Sequence, residues 1–164
     1  VTPALTKVIT WVFWILVAVA LLFFAKYRKT GFSMGMALIL GLLVCNIFLK
    51  PQVARIRPYN FQLQEYGREI TLLVKGLNDY SFPSGHTIAS FEACTVLMLH
   101  DKRLGIPATV LAILIAFSRL YLYVHYPTDV LVSVVLGILF GILGNLIVNA
   151  IYKKFVYKEK YIEE

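Results

Sequence analysis

The chain has 164 residues, of which 59% are hydrophobic and 15% are charged, and its mean hydropathy is +0.75. Soluble domains carry about 25% charged residues, so the composition excludes an ordinary soluble domain and indicates an integral membrane protein, a single domain over residues 1–164. The formal net charge is +7. In a membrane protein, such an excess of basic residues reflects its orientation in the bilayer and its contact with anionic lipid headgroups, so we expect no nucleic acid partner.

Five apolar runs predict five membrane-spanning helices. A bilayer core needs about 20 helical residues, and only helices and closed barrels satisfy backbone groups in lipid. Four runs have about that length, and the short third run suits a helix that begins at a recessed, protein-lined site. No alternating barrel pattern occurs, so we expect an all-α, polytopic transmembrane bundle. The runs are Val8–Ala25, Phe32–Leu49, His86–Leu99, Leu104–Tyr123 and Val130–Ile151.

The placement of lysine and arginine predicts the orientation of this bundle. The stretches "KYRKT" (26–30) and "HDKR" (100–103) and the lysine-rich tail fall on one side if all five runs span. Counted over the whole chain, the basic residues favour this side only slightly. The excess becomes larger when the basic residues assigned below to an anion site are left out of the count. The three stretches are then predicted to be cytoplasmic, and residues 50–82 and 118–129 to lie on the extracytoplasmic face of a membrane that we expect to be bacterial.

The 50–82 connection is the one long loop between the runs. Its apolar residues recur at helical spacing among polar ones, which predicts an amphipathic helix at the membrane interface. A simple cap over the bundle is the alternative. The apolar positions are Phe61, Tyr66, Ile70, Leu73, Val74 and Leu77.

Several residues within the runs are assigned to packing. Cys45 and Cys94 are expected to be buried packing residues and not a disulfide or metal pair. The small residues of the last run are expected at helix contacts. These are Gly137, Gly141 and Gly144, while Trp11 and Trp14 are expected to face lipid or to pack.

Three permanent positive charges are predicted near one another. Lys50 and Arg57 lie in "KPQVARIRP" (50–58), and Arg119 begins a third polar stretch on the same predicted side. Arginine matches phosphate oxygens in bidentate geometry, while lysine acts as a point charge. A bound phosphate would neutralise these three charges. Alternatively, the three side chains extend to the lipid headgroups at the membrane surface.

The stretch "FPSGH" (82–86) predicts a helix start beside a glycine. A helix N-terminus of this kind binds anions through backbone N–H groups, which Ser84 or Gly85 could supply together with the Ser84 hydroxyl. An ordinary turn into a helix is the alternative, and the stretch alone is a weak signal.

The stretch "SRLYLYVHYPTD" (118–129) places His125 and Asp129 four residues apart, on one face of a helical turn. A carboxylate that accepts from one ring N–H orients the other nitrogen as a nucleophile or base, although a satisfied structural histidine is the alternative. With His86 the site has two imidazoles, one to attack phosphorus and one to protonate the leaving oxygen. No metal-ligand spacing is present, so we expect a metal-independent phosphohistidine route without a cofactor.

Together, the three motifs resemble the signatures of the type 2 phosphatidic acid phosphatase superfamily. These signatures are Lys, six residues, Arg-Pro; then Pro-Ser-Gly-His; then Ser-Arg, five residues, His, three residues, Asp. Every signature position is matched here, over residues 50–129. The combination is very specific, although no single motif is.

The resemblance implies a lipid phosphatase in which His125 is the nucleophile, Asp129 orients it and His86 is the general acid. It also implies that the other signature residues hold the phosphoryl group, namely Lys50, Arg57, Ser84, Gly85 and Arg119. The implied substrates are undecaprenyl diphosphate, phosphatidylglycerol phosphate and phosphatidic acid. An extracytoplasmic site in a small bacterial-looking protein slightly favours the first.

One departure from the superfamily pattern concerns the first spans. The membrane branch usually has six spans, three of them before the first motif, whereas only two runs precede it here. Since the chain starts with Val1, we expect a first helix that lies upstream or was removed.

Two other functions fit parts of the pattern. Vanadate-dependent haloperoxidases of the same superfamily have a similar anion site, but they are soluble, and five apolar runs argue against them. A phosphate- or lipid-binding membrane transporter could use the same cations. It would not need the His125–Asp129 pair and a second histidine.

Four further polar residues have open assignments. Glu92 lies two turns into the third run and is a functional candidate because it is an acidic residue within the membrane. Alternatively, its carboxyl group is protonated, or it forms a hydrogen bond with a neighbouring helix, for instance at Asn46. Asp79 and Tyr80 either close or orient the site or cap the loop. His100 is expected to be a plain interfacial residue on the far side.

Overall fold

The computed structural model describes residues 3–73, 77 and 79–160, and within these ranges the chain is helical without strands, as predicted. A short 3-10 turn at Ala25–Tyr27 precedes the second helix, and a π-helix over Leu42–Leu49 joins the second helix to the third. The α-helices of the described ranges are α1 (Pro3–Leu22), α2 (Arg28–Gly41), α3 (Lys50–Val53), α4 (Pro58–Tyr66), α5 (Gly85–His100), α6 (Lys102–Tyr121) and α7 (Pro127–Lys160).

Each of the five apolar runs forms a helix, but the helices differ in length. Over the described residues, three segments are long and apolar enough to cross a membrane, namely Ala25–Tyr66, Lys102–Tyr121 and Pro127–Lys154. The apolar part of α1, Ile9–Leu22, is shorter, and α5 has 16 residues. The helical bundle is therefore confirmed, while the count of five spans stays a prediction.

Helix α5 lies at the centre of the bundle. It packs against α1, α2, α6 and α7, and every residue from Gly85 to Cys94 is buried. Helix α7 approaches closely because it has no side chain at Gly137, where a Cβ would lie 2.7 Å from the Cβ of Phe91. The packing roles predicted for the glycines of α7 and for the two cysteines are confirmed, since all of these residues are buried.

Two of the basic stretches and the start of the tail meet at one end of the bundle. The Tyr27 hydroxyl donates to Asp101 at 3.0 Å, and Lys26 lies 3.9 Å from the same carboxylate. Lys29 lies over the ring of Tyr152. The helix directions then put the three polar motifs at the opposite end, as the predicted topology requires.

The helix predicted in the 50–82 loop is shorter than expected. Helix α4 ends at Tyr66 because Gly67 adopts the left-handed conformation, with φ of 62°, that terminates helices. Residues 68–73 are not helical, so the prediction of a helix continuing through Ile70 and Leu73 is wrong. Val74 lies outside the described residues. Phe61 and Leu73 are exposed, whereas Leu77 is buried.

Candidate active site

The end of the bundle that carries the three motifs encloses a cavity of about 410 Å³. Both predicted histidines, His86 and His125, line it together with Lys50 and Arg57. Residues far apart in the chain therefore meet at one place. The other lining residues are Trp11, Leu42, Asn46, Leu77, Asp79 and Gly85.

The guanidinium of Arg57 is almost wholly enclosed, with 2% of the residue exposed. Its Nε donates to the Asp79 carbonyl at 2.9 Å, and Nη2 donates to the Asp79 carboxylate at 2.7 Å. Its Nη1 donates to the Val124 carbonyl at 2.7 Å. Because separate acceptors surround the planar group, its orientation is fixed between two loops.

The carboxylate of Asp79 bridges two cations. One oxygen accepts from Arg57, and the other accepts from Lys50 Nζ at 2.8 Å. Burial alone would raise the pKa of Asp79, but the hydrogen bond and charge of Lys50, together with Arg57, hold it well below its usual range. A negative charge therefore already lies between the two cations that the sequence predicts to bind phosphate.

The imidazole of His125 lies between a cation and a carboxylate. Its Nε2 is 3.4 Å from Nη1 of Arg57, and its Nδ1 is 3.8 Å from Asp129. The second distance exceeds a hydrogen bond, and Nδ1 has no hydrogen-bond partner among the described residues. His125 and Asp129 lie side by side as predicted, but the predicted shared helical turn is wrong, because His125 lies in the bend before α7 begins at Pro127. This structure has no hydrogen bond between the two side chains.

The surroundings of His125 indicate its protonation. Burial lowers the pKa of His125 below its ordinary value, against the opposing effect of Asp129, so the ring is neutral at pH 7. A guanidinium can only donate hydrogen bonds. Proximity of Arg57 to Nε2 therefore favours the tautomer with its proton on Nδ1 and a lone pair on Nε2.

Three donors that the sequence analysis missed hold Asp129. Arg55 Nη1 donates to one carboxylate oxygen at 2.7 Å, and the backbone N–H of Tyr126, at 2.9 Å, and the hydroxyl of Ser81 donate to the other. Arg55 also stacks on the Tyr126 ring, 3.9 Å from its centroid. The pairing of Arg55 with Asp129 could have been predicted. A buried carboxylate needs a cation beside it, and Arg55 lies within the stretch 50–58 that forms the first motif.

The remaining signature residues differ in their relation to the cavity. Gly85 lines it at the start of α5. Ser84 is fully buried, and its N–H donates to the Ser133 hydroxyl at 2.8 Å, so this N–H points away from the cavity. Arg119 is half-buried in the last turn of α6, where Nε and Nη2 donate to the Ser118 hydroxyl at 3.1 and 3.0 Å. Neither Ser84 nor Arg119 lines the cavity as it stands.

Other polar residues lie away from the two histidines. Glu92 is buried against Gly41, and its carboxylate oxygens have no hydrogen-bond partner within the described chain, so the suggested bond to Asn46 is wrong. His100 is exposed at the opposite end, where its Nε2 is 2.8 Å from Asn145. No three His, Cys, Asp or Glu residues among those described are grouped to hold a metal ion.

Comparison with known proteins gives matches in sequence and in structure. The model of the PAP2 superfamily matches residues 30–153. The undecaprenyl-diphosphatase of Sulfolobus acidocaldarius is 35% identical over 125 residues, which cover 76% of this chain and 58% of that protein. Phosphatidylglycerophosphatase B of Bacillus subtilis is 36% identical over a stretch that covers 68% of this chain and 56% of that protein.

The structural match agrees with the sequence matches. The crystal structure of Aquifex aeolicus LpxE has a TM-score of 0.66 and 28% sequence identity, with 85% of each chain covered. The present chain spans less than two thirds of the length of the two curated relatives.

Proposed function

The chain belongs to the PAP2 superfamily, and on that premise we propose that it is a membrane lipid phosphatase. The observation that carries the proposal is the single cavity lined by Lys50, Arg57, His86 and His125. Two cations there can stabilise the equatorial oxygens of a transferring phosphoryl group. Two imidazoles can supply the nucleophile and the acid that hydrolysis needs.

In the proposed mechanism, Nε2 of His125 attacks phosphorus in line with the leaving oxygen. The bond between phosphorus and that oxygen breaks while His86 donates a proton to the oxygen, which leaves a phosphohistidine. His86, now neutral, takes a proton from water while the water oxygen attacks phosphorus, and the bond between phosphorus and Nε2 of His125 breaks. Inorganic phosphate leaves, His125 is neutral again, and His86 is again protonated. Asp129 stabilises the positive charge that develops on His125.

The other signature residues are proposed to complete the phosphate site once it is occupied. Gly85 presents its backbone at the start of α5, beside the cavity. Arg119 lies in the last turn of α6, and a bound phosphate would attract its guanidinium. We retain Ser84 as a candidate through its position next to Gly85, although its N–H bonds Ser133 in this structure.

We propose undecaprenyl diphosphate as the substrate and the extracytoplasmic face of a bacterial inner membrane as the location of the site. One curated relative is named an undecaprenyl-diphosphatase, which supports this class. Another is named a phosphatidylglycerophosphatase, so phosphatidylglycerol phosphate is the second candidate, with phosphatidic acid as a further phosphomonoester. A non-enzymatic phosphate- or lipid-binding transporter would leave the two-histidine cavity unexplained.

The proposed function is tested by phosphate release from these three lipids in detergent micelles, with chelator present. We expect release from at least one lipid, and inhibition by vanadate, which adopts the five-coordinate geometry of the transferring phosphoryl group. Release that disappears on chelation and returns with a divalent cation would contradict the metal-independent mechanism. Binding of all three lipids without turnover would favour the transporter.

Substitution of Asp79 by asparagine is expected to tighten inhibition by inorganic phosphate about tenfold, because it removes a negative charge between Lys50 and Arg57. The measurement is the inhibition constant of phosphate, with Asp101→Asn at the opposite end of the bundle as the control. Weaker inhibition in Asp79→Asn would show that the carboxylate mainly holds the two cations in place.

A further inference from the structure

Two neutral hydrogen-bond donors, Trp11 and Asn46, line the cavity together with the charged groups. Trp11 lies in α1, and Asn46 lies in the π-helix that joins α2 to α3. Neither residue belongs to the three motifs, and the proposed mechanism gives neither of them a role. An indole N–H only donates hydrogen bonds, and a side-chain amide carries two N–H donors beside its oxygen.

The polar groups of these two side chains converge on the start of α5. A Cβ added at Gly85 would lie 3.1 Å from Oδ1 and 3.5 Å from Nδ2 of Asn46. It would lie 3.4 Å from Nε1 of Trp11. Two side chains from separate helices therefore meet at the residue that directly precedes His86.

Trp14, one turn further along α1, differs from Trp11 in what its indole N–H does. Trp14 is 2% exposed, and its Nε1 donates to the Ser90 hydroxyl at 3.1 Å. Within the described part of the chain, no acceptor is bonded to Nε1 of Trp11 or to the amide of Asn46. Both side chains are only partly buried, so a molecule in the cavity can reach their donors.

The π-helix presents one face to the cavity. Leu42, Asn46 and Lys50 follow one another at intervals of four residues, and all three line the cavity. Local π-helical geometry is frequent at functional sites. This segment therefore brings a neutral donor into the same space as the cation that follows it.

The proposed mechanism assigns the two donors to the leaving-group side of the cavity. In-line attack by His125 puts the leaving oxygen on the far side of phosphorus, where His86 protonates it. Arg57 lies beside the nucleophile, with Nη1 3.4 Å from Nε2 of His125. Trp11 and Asn46 lie instead at the residue before His86, so they face the group attached to the leaving oxygen.

The group attached to the leaving oxygen differs between the two classes of lipid substrate. In a diphosphate, the bond that breaks joins the terminal phosphorus to the bridging oxygen, and a lipid monophosphate leaves with the proton from His86. The second phosphorus thus carries anionic oxygens of its own. In a phosphomonoester, a carbon atom takes the place of that phosphorus, and no anionic oxygen is present there.

We propose that Trp11 and Asn46 bind the non-transferred phosphate of a lipid diphosphate, which rests on the proposed function. Hydrogen bonds to an ionised acceptor are about twice as strong as those between neutral groups, so neutral donors suffice for this second phosphate. The cations hold the transferred phosphoryl group of either substrate class. The two donors therefore determine the preference for diphosphates over phosphomonoesters.

The test is the ratio of kcat/KM for farnesyl diphosphate to kcat/KM for farnesyl phosphate in the same micelles, because the two lipids share one chain. Asn46→Leu keeps the approximate size of the side chain without its donors, and Trp11→Phe keeps an aromatic ring without the N–H. We expect the ratio to fall about tenfold in each variant, as for the loss of one hydrogen bond to a charged group. The loss should fall on the diphosphate.

Two matched controls remove the same chemical groups elsewhere. Trp14→Phe removes an indole N–H from the same helix, but that N–H is bonded to Ser90. Asn60→Leu removes an amide from α4 that does not line the cavity. The ratio should be unchanged in both controls. An unchanged ratio in Asn46→Leu and Trp11→Phe would overturn the proposal, as would an equal loss for both lipids.

Failure of the proposed function is distinguishable from failure of the donor pair. If the unsubstituted protein hydrolyses neither lipid, the phosphatase proposal is wrong, and binding then tests the donors alone. The probes are inorganic phosphate and methylenediphosphonate, whose P–C–P bridge resists hydrolysis, titrated by calorimetry. Asn46→Leu and Trp11→Phe should each bind the diphosphonate about tenfold more weakly and phosphate as before. Diphosphonate affinities equal to that of the unsubstituted protein would overturn the proposal.

Discussion

Substitution of His125 by alanine is expected to reduce phosphate release by at least about 10⁴-fold, because loss of the proposed covalent nucleophile would leave only binding and electrostatic effects. The cations should stay in place, since Arg57 keeps its hydrogen bonds to Val124 and Asp79, and Lys50 keeps its hydrogen bond to Asp79. Inhibition by inorganic phosphate, measured in displacement of a bound lipid phosphate, should change by less than about threefold.

His100→Ala is the control for this substitution, because His100 is exposed at the opposite end of the bundle. A second readout is covalent phosphate on the protein after an alkaline quench, expected in the unsubstituted protein and absent in His125→Ala. Turnover by His125→Ala close to that of the unsubstituted protein would remove His125 from the nucleophile role and direct attention to His86.

Substitution of Arg57 by alanine is expected to lower phosphate release by about 10²–10³-fold, because in the proposed mechanism it removes preorganised donors beside the transferring phosphoryl group. It should also lower Tm, since the Val124 carbonyl and the Asp79 carboxylate each lose a donor at 2.7 Å. Activity and thermal unfolding are measured together on the same preparation.

Arg57→Lys separates charge from geometry. A lysine keeps the positive charge but cannot reproduce the planar set of donors, so we expect little recovery of activity and partial recovery of Tm. Arg68→Ala, in the exposed loop after α4, is the control and should resemble the unsubstituted protein. Full activity in Arg57→Lys would show that only a positive charge is required at this position.

The elements of this fold that repeat a simple pattern could be predicted from the sequence. Apolar runs long enough to be helices identified α1, α2, α5, α6 and α7. The resemblance of the three motifs to the superfamily signatures predicted that their residues meet at one site. Five of these residues line the cavity, namely Lys50, Arg57, Gly85, His86 and His125, whereas Ser84 and Arg119 do not. The two histidines, Lys50 and Arg57 were therefore predictable as neighbours before any contact was known.

The contacts that depend on loop conformation could not be predicted. Spacing placed His125 beside Asp129, but the loop geometry decides that Arg55 and Ser81 donate to that carboxylate. The length of α4 depends on Gly67, a single residue in a left-handed conformation. The spacing of apolar residues predicts which face of a helix is apolar, but it does not predict the residue at which the helix ends.

The ion pairs at the cavity have a consequence for how this protein enters the bilayer. Placing an arginine at the centre of a membrane-inserted helix costs roughly 2.5–3.5 kcal/mol. Here Arg57 is paired with Asp79, and Arg55 with Asp129, so the cations carry their counter-charges within the same polypeptide. The cations of this site therefore do not need a phosphorylated ligand as their counter-ion when the protein folds in the membrane.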